Sequence, residues 1–124
     1  MELEKDKWGN VVWKGHKFPG IDMPIADRGN KQGKVLVRNG DSYKVVRFGD
    51  ENLDDNYSTD ANDRYYARHG EEDIKDKTSP KYWSHKWLWP RGKEKGKGPK
   101  KFFKLKTAAS VLAAKTRVIG FLDM

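Results

Sequence analysis

The sequence contains no cysteine among its 124 residues, which excludes disulfide bonds and thiolate metal sites. It also has no apolar run close to the roughly 18 residues that a membrane-spanning helix needs, and its first residues lack the apolar stretch of a signal peptide. Only 35% of the residues are hydrophobic, and the mean hydropathy is −0.99. We therefore expect one small domain with a modest core, in the cytosol or assembled there.

Positive charge is abundant, and it is concentrated at the C-terminal end. Residues 77–124 hold thirteen Lys and Arg against two Asp and Glu, whereas residues 51–76 hold three against nine. The net charge of the whole chain is +8. A positive field draws polyanions towards a protein, although lysines that merely solvate a surface are the alternative.

Aromatic and cationic side chains alternate between Lys77 and Lys106. Cations neutralise phosphates, whereas flat rings stack on unpaired bases or anchor in a partner's pocket, so this mixture predicts a nucleic-acid or partner surface. The residues expected to carry it are Trp87, Trp89, Arg91, Lys93, Lys95, Lys97, Lys100, Lys101, Phe102, Phe103 and Lys104. Trp83 and Trp87 lie four positions apart, a spacing that also fits burial of both rings in a core.

Residues that would support catalysis or metal binding are few. The sequence has three histidines and no dense motif such as His-Glu-x-x-His. His69, Glu71 and His85 are candidate ligands for a divalent metal, but solvated loop side chains are the simpler interpretation. We expect no enzymatic activity, no bound cofactor or metal and no small-molecule substrate.

A β-hairpin is the clearest local signal. Two β-prone runs flank Asn-Gly at 39–40, a pair that favours the type I′ turn of a tight hairpin over residues 34–49. The second run does not alternate strictly, which predicts either a bulge near Val46 or a strand buried on both faces. Residues 11–13 are a candidate third strand, and glycine and proline break residues 15–33 into a long irregular connection.

A first short helix is predicted over residues 61–69, with N-cap oxygens offered by Ser58, Thr59 and Asp60 before it and Gly70 able to close it. Helical spacing places Ala61 and Tyr65 on one face and leaves Tyr66 for other contacts.

A second short helix is predicted after Ser79, with Pro80 at its first position and Pro90 beyond its end. The glycines and like charges of residues 91–99 disfavour packing, so this stretch is expected to be mobile or to order only against a partner. The predicted fold is α+β: a small α+β domain at 1–90 with a hairpin or three-stranded sheet and short helices, a basic Gly/Lys-rich linker at 91–106, and a C-terminal helix at 107–122.

Three motifs carry a resemblance over roughly residues 43–90. They are KVVRFGD at 44–50, ARH at 67–69, and KDKT at 75–78 followed by YWS at 82–84. In this order they resemble small, largely uncharacterised proteins of tailed bacteriophages, notably phages of marine and cyanobacterial hosts. The relatives tend to have cysteines at the positions of Glu71 and His85, and this chain has none.

The resemblance implies a phage setting and two candidate functions. The first is a non-enzymatic structural or assembly protein of the virion, assembled in the host cytoplasm, that packs on neighbouring virion subunits and has packaged DNA as a further candidate partner. The second is a free nucleic-acid-binding or host-directed accessory protein. The first is favoured, because the long segments broken by glycine and proline are easier to stabilise within an assembly. Neither function involves a membrane.

Overall fold

Two small antiparallel sheets and two short helices form the part of the chain that the computed structural model describes, namely residues 3–27, 29, 31–49, 57–72 and 74–110. This arrangement confirms the α+β class. None of the helices in these residues has the length and apolar character that crossing a bilayer requires.

The first sheet is a meander of β1 (Glu4–Lys5), β2 (Val11–Trp13) and β3 (His16–Phe18). Lys14 and Gly15 connect β2 to β3 with φ angles of 46° and 83°, and positive φ at both central positions is the signature of a type I′ turn. Residues 11–13 therefore form a strand, but their predicted place beside the main hairpin is wrong. The two-residue turn reverses the chain directly after β2, so β2 pairs with β3, the next strand in the sequence.

The second sheet contains β4 (Ile25–Ala26), β5 (Gly33–Asn39) and β6 (Ser42–Phe48). The hairpin of β5 and β6 confirms the main prediction from the sequence. The segment 15–33, expected to be irregular, contains β3 and β4. Strands of two or three residues are too short to show an alternating pattern in a sequence.

The turn of the β5–β6 hairpin lies one residue later than predicted. Asn39 pairs with Ser42, so Gly40 and Asp41 are the central residues. Of these only Gly40 has a positive φ, 62°, which is the pattern of a type II′ turn. The type I′ prediction is thus wrong here. The pairing is continuous along both strands, so there is also no bulge at Val46.

The hairpin is buried on both of its faces. One face carries Val35, Val46 and Phe48, which pack in the larger core with the helices. The opposite face carries Leu36, which packs with Val11, Phe18 and Ile25 in a smaller core. Because side chains alternate along a strand, consecutive apolar residues supply two cores at once. Of the two predicted alternatives, a bulge near Val46 or a strand buried on both faces, the second is therefore the observed one.

Helix α1 (Thr59–His69) begins two residues before the predicted start and ends where predicted. The Ser58 hydroxyl accepts a hydrogen bond from the Ala61 N–H at 3.2 Å, and Gly70 follows the helix with a φ of 83°. Ala61 and Tyr65 are buried, and Tyr66 is buried as well. Its hydroxyl donates to the Trp89 carbonyl at 2.5 Å, so a long-range hydrogen bond draws Tyr66 inward.

Helix α2 (Pro80–Trp83) begins at the predicted proline and continues directly into a π-helical turn, Ser84–Leu88. The Trp89 N–H donates to the Ser84 carbonyl at 3.0 Å, five residues earlier. This wider turn places Leu88 and Trp89 in the larger core. The core interpretation of Trp83 is confirmed, since only 4% of it is exposed.

Residues 91–106 are ordered against their own chain. They contain a 3₁₀ turn, Gly92–Glu94, and Phe102 packs against the larger core. These contacts lie within one chain, and the expectation that 91–99 is mobile or orders only against a partner stays a prediction. Of the C-terminal helix predicted at 107–122, residues 108–110 are helical, Thr107 is not, and 111–122 lie outside the described residues.

Candidate nucleic-acid interface

The aromatic members of the predicted surface divide into buried and exposed rings. Trp89 is 4% exposed and stacks on Tyr65 with ring centroids 4.8 Å apart and planes 13° apart. Trp87 and Phe102 are partly buried against the larger core. Only Phe103, at 42% exposure, offers a largely open ring. Trp89 therefore belongs to the core and is not available to stack on a base.

The Phe103 ring contacts a second aromatic ring. Its centroid lies 5.9 Å from that of Trp87, with 34° between the planes. The Lys100 ammonium lies 5.7 Å from the Trp87 ring centroid, where the ring's negative face attracts a cation. An exposed aromatic ring and a cation thus both lie close to the Trp87 ring.

Two of the predicted cations are engaged with acidic side chains. The Arg91 guanidinium bonds to Asp63 at 2.9 Å and to Glu71, and the Lys95 ammonium lies 2.6 Å from Asp63. Hydrogen bonds from Lys95 and Arg91 hold the pKa of Asp63 below its ordinary value. These two cations already face carboxylates, so they are poor candidates for contact with a polyanion.

The other predicted lysines are exposed, and most of them lie in one extended segment. We call residues 100–106 the strap. Its exposed side chains include Lys100, Lys101 and Lys104, together with Lys106, which the sequence analysis did not single out. Lys93 and Lys97 lie before the strap and are also exposed, with the Lys97 ammonium 4.0 Å from Glu94. The strap therefore presents four cations, and within residues 100–106 there is no acidic side chain.

Three sets of hydrogen bonds fix the strap to the rest of the chain. The Lys100 N–H donates to the Trp87 carbonyl, and the Phe103 N–H donates to the Pro24 carbonyl, each at 2.8 Å. At the far end, Asn10 bonds to both the N–H and the carbonyl of Lys106. The strap is thus attached to the π-helical turn, to the chain before β4 and to the chain before β2. The sequence could not reveal this, because Asn10 and Lys106 are 96 positions apart.

The candidate metal ligands do not form a site in the described part of the chain. No group of three or more His, Asp or Glu side chains there is arranged to hold a metal ion. Glu71 pairs with Arg91, and His85 Nδ1 lies 2.9 Å from the Tyr65 hydroxyl. Burial lowers the pKa of His69 and of His85. The structure therefore gives each of these side chains a partner or a packing environment within the protein.

Comparison with protein-family models, with curated proteins and with solved structures finds no match for this chain. The resemblance to phage proteins therefore stays a prediction, as do the two functions that it implies.

Proposed function

We propose that this protein is a non-enzymatic structural or assembly component of a phage particle, and that its strap binds the packaged nucleic acid. The observation that carries the proposal is the strap itself. It places four exposed lysines and the open ring of Phe103 on a segment that is held at three points. The phage setting rests on the motif resemblance over residues 43–90.

The spacing of the strap's charges suits a phosphate backbone. A fully extended chain advances about 3.3 Å per residue, so the seven residues of the strap span at most roughly 20 Å. Four lysines over this length can neutralise about four phosphates and release the counterions condensed there. The logarithm of the binding constant should then fall against log salt with a slope of about −2.8 for a single strand and about −3.6 for a duplex.

Attachment to neighbouring subunits is supported by apolar side chains on the same segment. Phe103 and Leu105 are 42% and 37% exposed, and they alternate with Lys104 and Lys106. Apolar side chains of this size supply anchors at protein interfaces, while the flanking cations form a polar rim. The same strap can therefore lie between a neighbouring subunit and nucleic acid.

A salt titration with a fluorescein-labelled oligonucleotide tests the nucleic-acid part. Lys101→Ala with Lys104→Ala should reduce the salt slope by about 1.4 to 1.8, because two phosphate contacts are lost. The matched control is Lys5→Ala with Lys75→Ala, which removes the same charge from exposed positions outside the strap. Equal slopes for the two double variants would reject the strap as the binding surface.

Mass spectrometry of purified particles tests the virion part. A virion component should be present at a fixed copy number per particle through successive purification steps. A protein that binds oligonucleotides through the strap but is absent from particles would instead be the free nucleic-acid-binding accessory protein, the second candidate. The two measurements together separate these functions.

A further inference from the structure

The two edges of the second sheet differ in what lies beside them. At one edge the strap lies beside β4, where Phe103 forms a parallel bridge with Ile25 and its N–H donates to the Pro24 carbonyl at 2.8 Å. At the other edge β6, which is seven residues long, is the last strand of the sheet. A strand edge without a neighbour presents N–H and C=O groups that can pair with a further strand. The edge of β6 is therefore a candidate interaction surface.

The register of the hairpin shows which backbone groups of β6 face this edge. Asn39 pairs with Ser42 across a two-residue turn, so this pair and every second pair after it exchange hydrogen bonds. The residues between them, at positions 43, 45 and 47, direct their N–H and C=O groups away from β5. Within the described part of the chain, no backbone hydrogen bond reaches Val45 or Arg47 from that side. These two residues therefore offer donors and acceptors to a further strand.

Charged side chains often protect such an edge, but on β6 both cations bond to groups of their own chain. Arg47 Nε lies 2.6 Å from an Asp27 carboxylate oxygen, and the Lys44 ammonium donates to the Thr78 carbonyl at 3.4 Å. The four lysines of the strap, by contrast, have no acidic residue among them. Repulsion between two copies of the chain is therefore weaker at the edge of β6 than at the strap.

The strand that matches this edge is β6 of a second copy. Antiparallel pairing with full overlap of residues 42–48 places Val45 on a two-fold axis, opposite Val45 of the second copy. Outward-facing residues then meet one another, as hydrogen-bonded pairs require. Lys44 lies opposite Val46 of the second copy. Arg47 lies opposite Tyr43 of the second copy, so no two cations are directly opposed.

We infer that two copies of this protein pair through β6 and join their second sheets into one continuous sheet. A two-fold arrangement closes the assembly, because each copy uses its β6 edge and offers none onward. Since the charge of Arg47 is already matched by Asp27, the edge does not call for an acidic strand. The dimer carries two straps, but its formation does not depend on the proposed function.

A cysteine at position 45 tests the pairing directly, because the sequence has no cysteine of its own. In a hydrogen-bonded antiparallel pair the Cα atoms are about 5.5 Å apart, which a disulfide can span. Val45→Cys should therefore give a disulfide-linked dimer after mild oxidation, measured by non-reducing electrophoresis. Asp41→Cys is the control, since position 41 is exposed and its two copies would lie more than about 20 Å apart. Equal crosslinking of both variants, or of neither, would overturn the inference.

Light scattering coupled to gel filtration tests the same pairing without oxidation. The wild type should have twice the chain mass of 14.3 kDa. Val45→Lys and Val45→Glu each place two like charges on the two-fold axis, so each variant alone should be monomeric. An equimolar mixture should be dimeric again, because the lysine of one copy then faces the glutamate of the other. This rescue also shows that both variants are folded.

The outcomes separate this inference from the proposed function. A wild type that is not a dimer, variants that remain dimeric alone, or a mixture that stays monomeric would each overturn the pairing through β6. A monomeric wild type that still binds the fluorescein-labelled oligonucleotide would overturn the dimer and leave the strap proposal intact. A dimer that does not bind the oligonucleotide would do the reverse.

Discussion

Asn10 and Lys106 pair through two hydrogen bonds. The Asn10 side-chain amide donates to the Lys106 carbonyl at 2.8 Å, and the Asn10 side-chain carbonyl accepts from the Lys106 N–H at 2.8 Å. Asn10 is only 2% exposed, so water has little access to these groups and cannot readily take the place of either bonding partner. This amide holds the C-terminal end of the strap against the first sheet.

Asn10→Ala should lower the free energy of unfolding by about 1–3 kcal/mol, because it leaves the Lys106 backbone groups without their partner. It should also weaken oligonucleotide binding, since the strap is then fixed at two points instead of three. Urea denaturation and anisotropy measure the two effects. Asn39→Ala, which changes an exposed asparagine at the end of β5, is the control and should alter neither by much.

Contacts between residues far apart in the chain, such as that of Asn10 with Lys106, could not be predicted from this sequence. The β5–β6 hairpin and helix α1 were predictable, because their signals are local: two β-prone runs around a turn, and Ser58 and Gly70 at the helix ends. The attachment of the strap was not predictable. It depends on Asn10, whose role is set by a residue far along the chain.

The candidate interface was predicted only in part, because some of its contacts also join residues that are far apart in the chain. Composition singled out Lys100, Lys101, Lys104 and Phe103, which are exposed in the structure, but not Lys106. It could not separate Arg91 and Lys95 from them, because only the fold brings the carboxylate of Asp63 within reach of both. Likewise, the sequence alone placed Trp89 on the surface, because only the fold brings Tyr65 of α1 into stacking contact with it.

Asp6 should make the stability of the protein depend on pH at the acidic end. Its carboxylate accepts hydrogen bonds from the side chain and backbone of Asn10 and from the Trp8 N–H, and these lower its pKa to about 2. The unfolded chain binds this proton at a higher pH than the folded chain does. Stability is therefore fully present above about pH 4 and is lost as the pH falls towards 2.

The measurement is the free energy of unfolding of the wild type and of Asp6→Asn between pH 6 and pH 2. The variant should be less stable than the wild type at pH 6 and should show a smaller loss on acidification. Asp41→Asn, in the exposed turn of the hairpin, sets the background for removing one carboxylate. A pH profile of Asp6→Asn parallel to that of the wild type would contradict the assignment.

Arg91 should contribute to stability through the shape of its guanidinium as well as through its charge. Its Nη1 donates to the side-chain carbonyl of Asn62 at 2.9 Å, and Asn62 is 1% exposed. The guanidinium also lies over the Tyr66 ring. Exposed ion pairs add little, but an unsatisfied buried acceptor is costly, so Arg91→Ala should lose about 1–2 kcal/mol.

Arg91→Lys should recover only a small part of this loss, because an ammonium cannot serve Asn62 and Glu71 at once and stack on Tyr66. Lys93→Ala removes a neighbouring exposed cation and should change the free energy of unfolding by less than about 0.5 kcal/mol. Thermal and urea denaturation distinguish these variants. Full stability in Arg91→Lys would mean that only the charge matters.

Gly33 of the hairpin lies close to the Phe102 ring of the strap. A Cβ atom at this position would lie 2.6 Å from the rings of both Phe48 and Phe102. Its φ lies outside the left-handed region, so alanine is compatible with the backbone, and the cost of Gly33→Ala reports crowding alone. We expect a loss of about 1–3 kcal/mol from overpacking in urea denaturation.

A double-mutant cycle with Phe102→Leu shows which ring is responsible. The smaller side chain makes room beside the new methyl group, so Gly33→Ala should cost about 1 kcal/mol less in that background than in the wild type. The remaining cost would come from Phe48, which stays in place. If the effects of Gly33→Ala and Phe102→Leu on the free energy of unfolding are strictly additive, Phe102 moves aside freely. The strap would then be held by its hydrogen bonds alone and not by its packing on the hairpin.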